Sequence, residues 1–468
     1  MSGFFGMVSD KDCVEKIYHG TDYHSHLGMA YGGIAVFDGK EILVETKEIK
    51  KSPYRAQLYD FVKNVKGNMG IGIISDYEEQ PIYIKSRLGD FAIAHVGRIN
   101  NLEKLIDKAY REKSFFLTNK INPLQILAYL INQGKDFVEG IKILQDSIEG
   151  SSSLMILTKE GIYLARDKFG RTPITIAKKD KEIAAAFETC SFLNTIGIDY
   201  ETYFLEPGEI GIINREGYIQ LEKPKNISKL CTFLFIYYGF PASCYNNINI
   251  ENVRNNLGKY LAIRDEKEIR EGKLKIDYVA GIPDSGIGCG IGYANKAGLP
   301  FCWPYKKYTP SWDRSFIPQE QKDRDLIAKM KLLPIRELIE GKRILLTDDS
   351  IVRGTQLRGK IEDLFSYGAK EIHLRVSCPP IINTCKYLNF SISRQNYELA
   401  AIRAIRKIEG EERNVEQYMD ERSDKYEAMV DIIKKEIGAT SLKYQFFGDM
   451  IKAIGIPEQH LCVECWKF

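Results

Sequence analysis

Short β-type apolar runs, each closed by a turn signal, dominate the first half of the chain. They cover residues 29–39 (MAYGGIAVFDG), 91–99 (FAIAHVGRI), 152–167 (SSLMILTKEGIYLARD), 182–189 (EIAAAFET) and 209–220 (EIGIINREGYIQ). Repeated hairpin spacing of this kind predicts antiparallel sheet. Two stretches break the pattern, near 52–65 and 123–133, where apolar residues recur at steps of three and four and predict helices. The first half therefore reads as α+β.

Beyond the polar, proline-containing segment 222–229 the pattern changes to strands alternating with helices. IDYVAGIP (276–283) leads into a Gly-rich turn and a helix, KRILLTDDS (342–350) into a second helix, and EIHLRVSCPP (371–380) follows. Such alternation predicts a parallel sheet with crossover helices. We place a domain boundary near residue 230, dividing the chain into 1–230 and 231–468. Residues 397–442 are strongly charged with interspersed apolar positions, which predicts one or two amphipathic helices. The run EGEERNVEQYMDERSDKYE (409–427) reads as a solvated helix face.

Composition agrees with two packed domains: 468 residues, 44% hydrophobic and 28% charged. The 66 basic and 63 acidic side chains leave a net charge of +3, too small a field to draw nucleic acid or membrane. Any anion site must be local. No apolar stretch has the length of a membrane helix, and the opening MSGFFGMVSDKD lacks the features of a signal peptide, so a cytoplasmic protein is expected. Ten cysteines in that reducing setting are expected to be buried, metal-binding or catalytic rather than disulfide-paired.

The chemistry concentrates in residues 343–355, RILLTDDSIVRGT. An apolar strand ends in Asp348 and Asp349, at the carboxyl edge where parallel sheets bind ligands. The turn that follows, Ser350, Ile351, Val352, Arg353, Gly354 and Thr355, can turn backbone N–H groups and the Thr355 hydroxyl toward a phosphate, with a helix N-terminus behind. The carboxylates can bind ribose hydroxyls or hold Mg²⁺, which takes one or two carboxylates plus substrate oxygens. An isolated Asp-Asp-Ser would be no more than a helix N-cap at Asp349 or Ser350.

The full string resembles the phosphoribosyl-diphosphate loop of type I phosphoribosyltransferases, in the form found in amidophosphoribosyltransferases. Asp284, Ser285 and Gly286 resemble that family's diphosphate-side loop, and the segment with Arg314 and Lys331 resembles its closing loop. Residues 165–167, 188–190 and 206–209 resemble strings of its glutaminase domain. The resemblance implies an N-terminal-nucleophile hydrolase domain of stacked sheets between helices, of the class II glutamine amidotransferase type, followed by an α/β type I phosphoribosyltransferase domain. It implies transfer of nitrogen to C1 of phosphoribosyl diphosphate, giving 5-phosphoribosylamine, the first step of purine nucleotide synthesis. The substrate would be held by Asp284 to Gly286 and Asp348 to Thr355, with Mg²⁺ on Ser285, Asp348 and Asp349, and with Arg314 and Lys331 meeting pyrophosphate. It further implies purine nucleotides as regulators and a homo-oligomer.

The glutaminase half departs from the family. The nucleophile position is Ser2 where the family has cysteine, and serine can still serve. The arginine that holds the glutamine carboxylate has no counterpart in Gly72-Ile73-Ile74-Ser75-Asp76, and the oxyanion string His-Asn-Gly-Asn reads His95-Val96-Gly97-Arg98. Removing one oxyanion donor costs about 10²- to 10³-fold in rate. The aspartate for the glutamine amine is replaced by Asn122 or Pro123, and the His-Arg-Gly-Gln string reads His26-Leu27-Gly28-Met29. The nitrogen donor is therefore expected to be ammonia, free or from a partner glutaminase; rescue by another nucleophile such as Cys13 needs a different geometry. A non-catalytic nucleotide sensor on the same scaffold, or transfer to another nucleophile, stand as alternatives.

Some members of the family carry a [4Fe-4S] cluster on four cysteines, and Cys231, Cys385, Cys462 and Cys465 stand at matching positions. Four thiolates without histidine are the complement for iron and sulfide. Zinc, four reduced thiols, and Cys378 as a competing ligand remain open.

Overall fold

The computed structural model describes residues 1–112, 121–307, 332–388 and 396–467. The strand Ser2–Val8 is apolar on both faces, and all of it is buried. It can be so only in a sheet covered on both sides, and it lies in the middle of a seven-stranded sheet. The order there is Glu201–Phe204, Thr175–Lys179, Glu182–Ala186, Ser2–Val8, Met69–Ser75, Tyr31–Phe37, Ile42–Glu48. A second, six-stranded sheet runs Gly217–Glu222, Ile210–Asn214, Ile162–Ala165, Gly150–Leu157, Gly89–Ile99, Ile82–Ser86.

Side-chain alternation sorts the layers. Phe4, Ile71 and Ile73 meet Ala92, Ala94 and Met155 of the other sheet in one core. Their neighbours Phe5, Met7 and Ile74 point away, onto the helices Val14–Asp22 and Tyr54–Asn64. On the far side Phe91, Ile93, Leu154 and Ile156 pack on Pro123–Ile131 and Phe137–Ser147. Two sheets thus sit between helical layers, as the resemblance implies.

The second half holds a parallel sheet in the order Tyr278–Gly281, Arg343–Asp348, Glu371–Val376, Ser441–Tyr444. Leu345 faces one helical layer with Leu261 of Ile250–Arg270 and Tyr293 of Ile287–Ala297. Ile344 and Leu346 face the other, with Ile361, Ile402 and Ile433 of the helices Thr355–Ser366, Ala400–Glu409 and Asp424–Ile437. The α+β and α/β expectations both hold. The reading of 409–427 as a helix face does not. Gly410, at φ +83°, ends its helix, and Ser423 caps the next by accepting from Tyr426 N at 3.1 Å. The charged run is mostly the connection between them, organised around the Glu409 carboxylate, which accepts from Tyr418 Oη at 2.7 Å and Lys425 Nζ at 3.0 Å. No helix among the described residues is long and apolar enough to cross a membrane.

Candidate active site

Register brings the acidic pair to its neighbours. Gly281 pairs with Thr347 and Asp348 with Val376, so the first two strands of the parallel sheet end level and their loops leave side by side. Thr347 Oγ1 donates at 2.8 Å to the Gly286 carbonyl, and Ile282 N donates at 2.9 Å to the Thr347 carbonyl. A Cβ on Gly286 would come within 2.1 Å of that same carbonyl, so only glycine lets the two loops touch. The contact carries Ser285 to the pair: its Oγ donates to Asp348 Oδ1 at 3.3 Å. Asp284 lies outward, with Lys307 Nζ on its carboxylate at 2.7 Å.

Asp348 and Asp349 are both buried, and the chain supplies them with few donors. Ser350 Oγ donates to Asp349 Oδ2 at 2.6 Å, and Asp349 N to Asp348 Oδ1 at 3.0 Å. Burial, reinforced by its neighbour's charge, pushes Asp348 well above the carboxylate range, and burial raises Asp349 too. Two adjacent carboxylates in that condition suit a divalent cation, with Ser285 at hand to complete the protein side. The Arg254 charge helps hold Asp349 down, but its guanidinium is spent on the Phe235, Tyr237 and Gly239 carbonyls.

The turn from Ser350 to Thr355 is anchored by Ile351, which is buried, and by the Val352 carbonyl, which accepts from Ala400 N at 2.8 Å. Gly354, at φ +79°, reverses the chain so that Thr355 opens a twelve-residue helix. Its exposed N-terminus has the geometry that can receive an anion. A cavity of about 260 Å³ opens beside it, lined by Arg353, Gly354, Thr355, Arg358, Arg403 and Lys407 among others. Arg314 and Lys331 lie outside the described residues.

The glutaminase-like site is differently filled. Ser2 is buried and pairs with Ser75, their hydroxyls 3.2 Å apart. Asp76 accepts from the Met1 ammonium at 2.6 Å and from Met29 N at 2.8 Å. Among residues 72–76 the polar side chains are thus a hydroxyl, Ser75, and an acid, Asp76, with no cation. Burial pushes Glu78 beside them up to about 7. Val96 is buried core, and His95, kept neutral by burial down to about 4, has an unpartnered Nε2. Asn122 has become a helix cap, accepting from Leu124 N at 3.0 Å. His26 Nε2 lies 3.3 Å from Glu188 Oε1. Cys13 is buried with its thiol pushed up to about 12, unsuited to act as a nucleophile.

The four cysteines come together from distant parts of the chain. Cys231 pairs with Cys462 in a two-strand parallel bridge. The Cys465 carbonyl accepts from Ile382 N at 3.0 Å and Asn383 N at 3.3 Å, and Cys385 Sγ accepts from Tyr387 N at 3.4 Å and Leu388 N at 3.3 Å. Burial, with the neighbouring cysteines adding to it, pushes the Cys231 and Cys465 thiols well up. Cys378 is raised by burial and then by Asp349 and Asp348, and it in turn adds to the rise at Cys465, so it lies between the acidic pair and the cysteine group. No disulfide is formed, and among the described residues no three His, Cys, Asp or Glu side chains stand close enough to share one metal ion. Sequence reasoning gave no role to Thr347, whose signal was a lone hydroxyl in the buried strand just before the acidic pair, or to Arg254, on a helix that the spacing did not mark.

A family model described as a glutamine amidotransferase domain matches residues 68–194. The chain is 30% identical to the amidophosphoribosyltransferase of Methanothermobacter thermautotrophicus, over 99% of this chain and 92% of that protein. It is likewise 30% identical to that of Bacillus subtilis, over 97% and 89%. A solved glutamine phosphoribosylpyrophosphate amidotransferase from B. subtilis, complexed with ADP and GMP, superposes with a TM-score of 0.81 at 28% identity, covering 99% of this chain and 96% of that one. A structure described as the allosteric regulatory enzyme of purine biosynthesis gives 0.82 at 29% identity, covering 99% and 95%.

Proposed function

This chain belongs to the amidophosphoribosyltransferase family, and we propose that it forms 5-phosphoribosylamine from phosphoribosyl diphosphate with ammonia as the nitrogen donor. The observation that carries the transfer half is the buried pair Asp348 and Asp349, short of donors and joined to Ser285 at the mouth of two parallel strands. The 5-phosphate would lie on Ser350 to Thr355 and the ribose hydroxyls on the carboxylates. Asp284 to Gly286 would take the pyrophosphate side, which Arg314 and Lys331 would neutralise. Mg²⁺ held by Asp348, Asp349 and Ser285 would supply charge neutralisation for the leaving group. The residues themselves would align C1 for in-line attack and exclude water, which is where the rate would come from.

Ammonia rather than glutamine follows from the first half: a hydroxyl and an acid where a cation should hold the glutamine carboxylate, and valine for the oxyanion amide. The donor would be free ammonia or the product of a partner glutaminase. We divide the chain at residue 230, into a glutamine amidotransferase-like domain and a transferase domain. Cys231, Cys385, Cys462 and Cys465 would hold a [4Fe-4S] cluster; each cysteine binds a different iron, so they need not converge on one ion. We further propose a cytoplasmic homo-oligomer regulated by purine nucleotides, as the ADP and GMP bound to the B. subtilis relative suggest. The test is pyrophosphate release from phosphoribosyl diphosphate with Mg²⁺ and ammonium chloride against glutamine. No release with either donor overturns the transferase reading, and release with glutamine alone overturns the choice of donor.

A further inference from the structure

Two buried arginines stand five residues apart in the first half, and they differ in one respect. The Arg166 guanidinium is surrounded by acceptors, the carbonyls of Thr172, Leu205 and Gly170. That is how an arginine is buried for structure alone. Arg171 is 7% exposed, and its Nε and Nη1 have no hydrogen-bond partner. Its nearest carboxylate oxygen, Asp167 Oδ2, is 4.0 Å from Nη1 and already accepts from Phe169 N at 3.1 Å and Arg171 N at 3.0 Å. Aromatic faces supply the rest: the guanidinium carbon lies 3.6 Å from the Tyr387 ring centroid and 4.7 Å from that of Phe169. The Tyr387 side chain is also within hydrogen-bonding reach, so the cation is held by one long ion pair and an aromatic partner, which leaves Nε and Nη1 free for a further anion.

The surroundings of Arg171 belong to the cysteine centre. Its carbonyl accepts from Cys231 N at 3.1 Å, Tyr387 follows Cys385 by two residues, and its charge is felt at Cys462. Two more side chains of the first half hold the same segment: Arg98 Nη1 donates to the Cys385 carbonyl at 3.0 Å and Asn100 Nδ2 to the Lys386 carbonyl at 2.8 Å. Arg98 ends the former oxyanion string. Four thiolates carry more negative charge than a [4Fe-4S]²⁺ core carries positive, so the loaded centre is a net anion.

We infer that Arg171 is the counter-cation of the four-cysteine cluster, and that the glutaminase-like domain, through Arg171, Arg98 and Asn100, serves as the clamp that retains it. This rests on the cluster reading above. Arg171 is a positioning residue: it touches no substrate. Arg171→Met keeps the bulk and removes the charge, while Arg171→Lys keeps the charge. Removing the charge should have opposite effects on loaded and iron-free protein, since the cation is needed only when the anion is present.

The experiment uses anaerobically purified full-length protein. Iron release to a chelator is followed by absorbance, and thermal melting is followed by circular dichroism on chelator-stripped samples. Loaded R171M should lose iron at least about tenfold faster than wild type, and R171K within about threefold of it, since a charge-assisted contact is worth about one such factor of ten or more. Iron-free R171M should melt no lower than iron-free wild type. Equal release from all three proteins, equally fast release from both variants, or a lowered melt of iron-free R171M would each assign Arg171 to packing and overturn the inference. Wild type without iron would instead overturn the cluster reading itself.

Discussion

Replacing Asp348 and Asp349 together by asparagine tests the transferase site by two opposed effects. Each amide keeps an oxygen where the carboxylate has one, so the donations from Ser285 at 3.3 Å and Ser350 at 2.6 Å can persist. What disappears is charge. With ligand, hydrogen bonds to charged groups are worth about 1.5–3 kcal/mol each, so two lost from the ribose hydroxyls predict binding at least about a hundredfold weaker, before any loss of Mg²⁺. Without ligand the same change should stabilise the fold, because both carboxyls are raised by burial and Asp348 also by its neighbour. A carboxyl whose folded pKa exceeds its unfolded value contributes stability fully below the unfolded value, and loses it as pH rises through the folded pKa. Ligand-free wild type should therefore lose stability from about pH 4 upward, and the double variant should lose less. At pH 8 the ligand-free double variant should melt higher than wild type, and at pH 5 the difference should shrink. Calorimetric titration with Mg²⁺ and phosphoribosyl diphosphate, beside melts at pH 5 and pH 8, reads both. Binding within about threefold of wild type, some 0.65 kcal/mol, would refute the site, and a variant that melts lower at pH 8 would refute the electrostatic account.

Ammonium should support pyrophosphate release and glutamine should not, and Ser2→Ala should leave the ammonium rate unchanged; glutamate formed from glutamine above the level of that variant contradicts this. Anaerobically purified protein should contain about four irons and four sulfides per chain, and Cys385→Ser should lose them; stoichiometric zinc would reject the cluster. Glu78, pushed up to about 7 mainly by burial, against an ordinary value of 4.5, should cost stability as pH rises between those values. Glu78→Gln should flatten that fall and raise stability at pH 8 by about 1 kcal/mol, discounted for partial exposure; an unchanged pH profile of Tm counts against it. Gly286→Ala should separate the two substrate loops, since its Cβ would meet the Thr347 carbonyl at 2.1 Å, and substrate affinity measured by calorimetry should fall by at least about tenfold.

What can be read from the sequence here is what is local in it. The phosphate loop is one contiguous string, strand, acids, turn and helix start, so its chemistry is legible without neighbours. The hairpins of the first half and the strands at 276–283, 342–350 and 371–380 are legible for the same reason: turn residues and apolar runs act over a few positions. Ser2–Val8, by contrast, has no alternation to reveal it, because sheet covers both of its faces. Ile250–Arg270 escaped because its polar residues include buried ones, Arg254 and Asp265, satisfied by distant partners: carbonyls near residue 237, and Arg375 at 2.5 Å.

The tertiary structure decided everything that depends on register and on meeting. Ser285 reaches Asp348 only because Gly281 is level with Thr347. Cys231 reaches Cys462 only because the strand Leu461–Cys462 returns to pair with Leu230–Cys231. In the sequence Arg166 and Arg171 are two similar cations in one loop. Only the packed fold gives the first its carbonyls and leaves the second without them, because hydrogen-bond satisfaction belongs to a residue's surroundings and not to the residue.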